Sequence, residues 1–451
     1  MSVDFLVDVL ISILRFFRRM TNYIISQGTI IFMLIEYSVE NFRSISEKTT
    51  LSMLTSKEIK KKHNLIKIKG IPGITKLLKS SVIYGANASG KTNQIRALEL
   101  IKFIVLTSKN FNKGDKLPYY PFMLSSGYDE EPTYFEIDFI SGKKEYKYSF
   151  SYNANEIISE ELSYFKNKNE IRVYSRIRDQ LEASVDEDEL KGLFKHTGDN
   201  VLFLSKANNE YKPFGEVFEW FNICLQYIGQ TAAIRDDVTI EYMNKSKENK
   251  QRVLNILKYA DFDIADVSGE KIRMDRSEIP DFILDAIEKD TKKRLKDGDI
   301  SKTELKSIHR RDDGSEFISE FEEFESAGTI VFFKMLGVFL DALEGHQRIL
   351  VMDEFDTRLH PDLIMYLLRL FHDDEYNKAG SQLIVTTHNT RILSQDFFRR
   401  EQIWFTEKNK ENKNTELYSL FDYENRVDRS VEKAYLSGRY GGLPDIFYGR
   451  I

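Results

Sequence analysis

From residue 33 the chain alternates: in "LIEYSVENF", Ile35, Tyr37 and Val39 fall on one face and Leu34, Glu36, Ser38 and Glu40 on the other. A period of two is the pattern of a β-strand. A short apolar strand, "SSVIYG", then runs into a glycine-rich stretch, and "TNQIRALELIKFIVL" follows as a helix. Between 133 and 175 alternation returns in "TYFEIDFI", "EYKYSFSY" and "EIRVYSRI", the first two joined by Ser141-Gly142-Lys143-Lys144. These runs predict an antiparallel β lobe. From about 185 to 300 the pattern becomes charged and mostly helical, as in "GEVFEWFNICLQYI" and "DFILDAIEKDTKKRLKD". Beyond it come a long apolar helix, "TIVFFKMLGVFLDAL", the strands "RILVMDE" and "SQLIVTTH", and a final strand and helix. Strands this apolar are buried on both faces, as in a parallel sheet. The expected class is α/β, with a mixed sheet, an antiparallel β lobe and an inserted helical lobe.

The first residues, "FLVDVLISILRFFRRM", place Val3, Leu6, Val7, Leu10, Ile13, Leu14 and Phe17 on one helical stripe, suited to a partner groove or a membrane surface. Asp8 breaks the apolar run and Arg15 ends it, short of the ~20 apolar residues a bilayer requires. No small-residue cleavage site follows. Residues 1–32 therefore read as an upstream extension, possessing an amphipathic helix but no stable membrane insertion. Residues 33–184 read as a first α/β half with the glycine-rich loop and β lobe, 185–302 as a helical insertion, and 303–451 as a second α/β half.

With 451 residues, 41% of them hydrophobic, the chain can bury a large core divided over two or three lobes. Cys224 is the single cysteine, which excludes an internal disulfide framework and suits the cytoplasm. A net charge of -6 gives no global attraction to nucleic acid, so DNA binding would need a local basic patch.

Candidate chemistry starts at "SVIYGANASGKTN". Gly85, Ala86, Asn87, Ala88, Ser89, Gly90, Lys91 and Thr92 have the spacing of a phosphate-gripping loop between a strand and a helix. Bare backbone at Gly85 and Gly90 lets successive N–H groups turn toward phosphate oxygens, aided by the N-terminus of the helix. Lys91 would bridge the β- and γ-phosphates of ATP, and Thr92 would hold Mg²⁺. A second site is "RILVMDEFDTRLHP": Asp353 would act through the metal, and Glu354 would orient or deprotonate the attacking water. His388, at the end of "LIVTTH", could hydrogen-bond the γ-phosphate or the attacking water; a lone histidine is more often structural. In "FESAGTIVFF", Ser326, Ala327 and Gly328 open a helix and could receive a phosphate; a plain helix cap has the same residues.

Taken in order, Gly85 to Thr92, Glu325-Ser-Ala-Gly-Thr329, Ile349-Leu-Val-Met-Asp-Glu354, Leu359-His360-Pro361 and Thr387-His388-Asn389 resemble the ABC-type ATPases of the SMC, RecF and OLD group. More narrowly, "YSVENFRSI", "PFML", "ESAGT" and "YLSGRYGGLPDI" resemble the bacterial AAA-family ATPases of the abortive-infection type over residues 33 to 451. The resemblance implies that Ser326 and Gly328 form the signature motif, that Asp356 lies in the D-loop and that His388 is the switch histidine. It also implies a Mg²⁺-dependent ATPase that forms a homodimer or higher homo-oligomer around ATP. The expected role is the sensor or scaffold of an anti-phage system whose effector, a nuclease or toxin, acts in trans. A repair or maintenance ATPase that clamps DNA is the alternative, and a nucleotide-gated assembly protein with little turnover is a third.

Departures from the family pattern bear on these expectations. Of the usual Leu-Ser-Gly-Gly-Gln signature only Ser326 and Gly328 survive, and no glutamine occurs between Gln94 and Gln180, the window in which the Q-loop is expected. The missing coupling glutamine argues against a transporter subunit. No nuclease constellation is visible, and the insertion is too short for an SMC-type coiled coil.

Overall fold

The computed structural model describes residues 31–57, 60–229, 234–235, 237–279, 284, 296, 300–345, 347–395, 397–423 and 430–443. The stripe from Val3 to Phe17, and all but two residues of "DFILDAIEKDTKKRLKD", lie outside the described residues. The chain divides into two compact units, one of residues 234–338 and one that joins residues 30–233 to 339–451.

In chain order the larger unit begins with β1 (Ile31–Glu40), β2 (Thr49–Ser52), β3 (Leu65–Lys67), β4 (Lys76–Leu78), β5 (Ser80–Gly85) and α1 (Lys91–Thr107). It continues with β6 (Thr133–Gly142), β7 (Lys144–Tyr152), β8 (Ile157–Lys166), β9 (Asn169–Ile177) and β10 (Gln180–Ala183). Then come α2 (Glu187–Phe194), α3 (Phe203–Ala207), α4 (Lys212–Glu219) and β11 (Leu225–Gly229). The smaller unit holds α5 (Val238–Met243), α6 (Lys247–Tyr259), β12 (Asp266–Met274), β13 (Ile300–Arg310), β14 (Glu316–Glu320) and α7 (Phe321–Phe324). Helix α8 (Ala327–Glu344) leads back to β15 (Ile349–Met352), α9 (Pro361–His372), β16 (Gln382–Thr386), β17 (Ile403–Lys408), β18 (Thr415–Ser419) and α10 (Val431–Leu436).

Two sheets organise the larger unit. One is antiparallel, in the order β10-β9-β8-β7-β6-β1-β2. The other runs β11-β15-β16-β5-β17-β18 and is parallel except for β18. Every residue of β5, β15 and β16 is buried, the reason Val82–Tyr84, Ile349–Met352 and Leu383–Val385 run apolar without alternation, while Ser80, Ser81, Gln382 and Thr386 at the strand ends are buried polar residues. Helix α1 contributes Ile95, Leu98, Ile101 and Val105 to a core shared with Phe135, Phe139 and Tyr148 of the antiparallel sheet and Ile83, Val351 and Ile384 of the parallel one. Each such side chain taken fully from water stabilises the fold by about 1.5–3 kcal/mol. The glycine-rich loop between β5 and α1 is thus anchored on both sides by buried mass.

Strand β1 departs from strict alternation. Its register shifts between Leu34 and Glu36, so Leu34, Tyr37 and Val39 face the main core, while Met33 and Ile35 face a second cluster with Leu77 and Ile140. The strand begins at Ile31, two residues before the expected start.

The insertion differs from its sequence reading in content and extent. Three of its strands form an antiparallel sheet, β12-β13-β14, and the compact unit runs 234–338 rather than 185–302. Residues 187–219 supply Leu190, Phe203, Phe214 and Val217 to the core of the larger unit. The expected helix in "GEVFEWFNICLQYI" ends at Cys224, and Leu225–Gly229 pairs in parallel with β15. A charged, aromatic-rich stretch has no period that separates a short helix from a buried strand.

Candidate functional site

Parallel pairing aligns β15, β16 and β5 in one direction: Met352 at the end of β15 lies opposite Val385, and Val385 opposite Val82, from which β5 runs on to Gly85. The turns after these strands therefore share one rim. This is the end of an open α/β sheet where ligands bind.

The loop after β5 is shaped by its glycines. Gly85 has φ +156°, and a Cβ there would stand 2.5 Å from Ser89 Oγ and 2.6 Å from the Thr406 carbonyl oxygen. Gly90, at φ +106°, would collide with the Thr415 side chain if it carried a Cβ. Around it Ser89 and Thr406 share a hydroxyl hydrogen bond of 2.6 Å, Thr415 Oγ1 donates to the Ser89 carbonyl at 3.0 Å, and Asn93 Nδ2 donates to Ser44 Oγ at 2.7 Å. Lys91 is buried and folds back on the loop, its Nζ donating to the carbonyls of Gly85 and Ala86 at 2.8 Å each. Desolvation lowers its pKa to about 8, against the opposing pull of Asp353, Glu354 and Asp356.

Asp353 and Glu354 follow β15 directly. The Asp353 carboxylate is buried and accepts Thr386 Oγ1 at 2.6 Å, while its N–H donates to the Gly229 carbonyl at 2.9 Å. Glu354 adopts φ +48°, a left-handed conformation uncommon for a side chain of its size, and its N–H donates to Thr386 Oγ1 at 2.8 Å. Thr386 thus orders both acidic residues through one hydroxyl. Asp356 Oδ2 accepts the His388 N–H at 3.3 Å. His388 is exposed, yet desolvation first and Lys91 second hold its pKa below the usual value, against the opposing pull of Asp356, Glu354 and Asp353.

Lys91, Asp353, Glu354, Asp356 and His388 consequently lie within one electrostatic neighbourhood. Thr92 offers a half-buried hydroxyl and Asp353 a buried carboxylate, hard oxygen donors that fit Mg²⁺ with phosphate oxygens and water completing its shell. Among the described residues no group of three or more His, Cys, Asp or Glu could hold a metal by itself.

Ser326 and Gly328 belong to the smaller unit. Ser326 is exposed and caps α8: its Oγ accepts the Thr329 N–H at 3.1 Å and shares a 2.8 Å hydrogen bond with Thr329 Oγ1. The exposed hydroxyl stands at the N-terminus of an 18-residue helix.

Thr386, Thr406 and Thr415 were not evident as site residues from sequence. The doubled threonine in "LIVTTH" was the available signal, since a hydroxyl at the end of an otherwise apolar buried strand needs a polar partner. The stretch between Gln94 and Gln180 builds the antiparallel lobe, and the strand beside β15 is β11, reached only afterwards.

No helix among the described residues is long and apolar enough to cross a membrane. A search of curated proteins finds no match to the chain. Among solved structures, it is similar to the SMC head domain from Thermotoga maritima, with 15% identity, 86% of this chain and 98% of that chain covered, and a TM-score of 0.36. It is also similar to the SmcHead bound to the C-winged helix domain of ScpA, with 13% identity, 89% and 99% covered, and a TM-score of 0.35. The profile of the AbiEii toxin-type AAA domain, Type IV TA system, matches residues 80–394, well over half of the sequence. The chain belongs to this family of AAA ATPase domains.

Proposed function

We propose that the chain binds ATP with Mg²⁺ at Gly85–Thr92 and hydrolyses it, as a dimer in which Ser326 and Gly328 of one copy complete the site of the other. The observation that carries this reading is the convergence of Lys91, Asp353, Glu354 and His388 on one rim of the parallel sheet. A passive binder needs only the loop; hydrolysis also needs a carboxylate for water and a place for the metal.

In this reading the incoming phosphate takes Lys91 from the carbonyls of Gly85 and Ala86, and the loop N–H groups turn to phosphate oxygens. Thr92 and Asp353 would hold Mg²⁺, which supplies charge neutralisation of the phosphates. Thr386 keeps the Asp353 carboxylate oriented. Glu354 accepts a proton from the attacking water, and neutral His388 makes a hydrogen bond without adding charge. The exposed Ser326 hydroxyl and the α8 N-terminus suit an anionic γ-phosphate presented by a second copy. ATP then joins two copies, and hydrolysis releases them.

In the cell such a switch would act as the sensor or scaffold of an anti-phage system, with a nuclease or toxin effector in trans. The test of the biochemical core is ATP turnover by the purified chain with and without Mg²⁺, together with its size in each state. Turnover that depends on Mg²⁺ and a larger species with ATP support it; neither property would leave only a nucleotide-shaped loop.

A further inference from the structure

The sequence motif "YLSGRYGGLPDI" has no part in the chemistry above, yet its described residues sit against the loop. Gly441 and Gly442 both have positive φ, +66° and +65°. A Cβ on Gly442 would lie 3.5 Å from the Gly85 Cα and 3.4 Å from the Thr406 carbonyl oxygen, so the turn's backbone packs directly under the first glycine of the loop. Tyrosine hydroxyls hold the turn there: Tyr435 donates to the Gly442 carbonyl at 3.1 Å, and Tyr418 and Tyr423 donate to the Tyr440 carbonyl at 2.8 and 3.2 Å. The Tyr435 ring stacks on Phe405, 5.3 Å between centroids, and meets Tyr84 of β5 at 5.9 Å.

The same helix touches the other side of the site. Glu432 accepts Thr390 Oγ1 at 3.4 Å, two residues beyond His388, and Tyr84 of β5, the ring that Tyr435 meets, donates to the Asn389 carbonyl at 3.4 Å. One short element therefore contacts the base of the phosphate loop and the segment of the switch histidine. Gly85 is also the residue whose carbonyl holds Lys91.

We infer that residues 430–443 are a brace of the nucleotide site, with Tyr435 and Gly442 as positioning residues that hold Gly85 and the His388 segment in one arrangement. The inference rests on the proposed binding of ATP at the loop. Releasing Lys91 from Gly85 on nucleotide binding changes the surface against which Gly442 packs, so binding and the order of the brace are coupled. Coupling of this kind is reciprocal: whatever nucleotide does to the brace, loosening the brace does to nucleotide affinity.

The experiment uses the full chain and a non-hydrolysable ATP analogue with Mg²⁺. Hydrogen exchange of residues 430–443 should slow on adding the analogue, with the outer strands β8 and β9 unchanged. Tyr435→Phe keeps the ring and removes only the hydroxyl, and Gly442→Ala adds one methyl in a strained conformation. Each should weaken analogue affinity by about fivefold or more, in the range typical of coupled sites, while β8 and β9 exchange as in the wild type. Wild-type affinity in both variants, together with nucleotide-insensitive exchange over 430–443, overturns the brace. Loss of binding in Lys91→Ala under the same conditions would then leave the loop assignment standing. A wild-type chain that binds no analogue overturns both.

Discussion

Thr386 and Asp353 are joined by a 2.6 Å hydrogen bond in which the hydroxyl donates to a buried carboxylate oxygen, while the same hydroxyl accepts the Glu354 N–H. The end of β16 is thereby tied to the two acidic residues that follow β15. Asp353 is kept buried and is the carboxylate proposed to hold the metal; Glu354, proposed to meet the attacking water, follows in a left-handed backbone conformation.

Thr386→Val keeps the shape and removes both hydrogen bonds. Losing an outer partner of a metal-binding carboxylate should lower Mg²⁺ affinity or turnover about 10–100-fold. Leaving the buried groups unpaired should also cost about 1–3 kcal/mol of stability. Mg²⁺ titration of turnover, with a denaturant midpoint alongside, checks both; wild-type Mg²⁺ dependence would remove Thr386 from the site.

Lys91 sets a pH dependence. Its pKa in the nucleotide-free chain is about 8, and a bound phosphate raises it. Nucleotide affinity should therefore be level below pH 8 and weaken as pH rises beyond it, by up to about tenfold per pH unit until the bound-state pKa is passed. Binding of a fluorescent ATP analogue across this range measures the slope. Lys91→Ala should bind weakly with no such slope, and a wild-type chain with equal affinity on both sides of pH 8 would contradict the contact.

Ser326→Arg tests the shared site. It should leave binding by a single copy nearly intact, because Gly85, Lys91 and Thr92 are untouched, but block closure and turnover. Mixed with Lys91→Ala, it can form one site with an intact loop from one chain and an intact cap from the other. Activity should return only on mixing. Full turnover by Ser326→Arg as a single copy would reduce Ser326 to the helix cap it also is.

Elements with a strong local cause were legible in the sequence. The loop could be read because Gly85, Gly90, Lys91 and Thr92 sit between an apolar strand and a helix, and β15 and the Leu383–Val385 stretch of β16 because burial on both faces makes them continuously apolar. Pairing across long separations was not. Nothing local in "LQYIG" says that it will lie beside Ile349–Met352, and nothing in Thr406 or Thr415 shows that it will close on Ser89 or Gly90. The bulge in β1 escaped for a related reason, since both of its faces are buried and the alternation there carries little contrast.

Hydrolysis at this rim is tested most directly by Glu354→Gln, which keeps the size of the side chain and removes its basicity. ATP and Mg²⁺ should bind with wild-type affinity, single-turnover hydrolysis should fall about 100-fold or more, and an ATP-bound dimer or larger assembly should accumulate on a sizing column. Hydrolysis at the wild-type rate would contradict the account, because the carboxylate assigned to the attacking water would then have no part in the reaction.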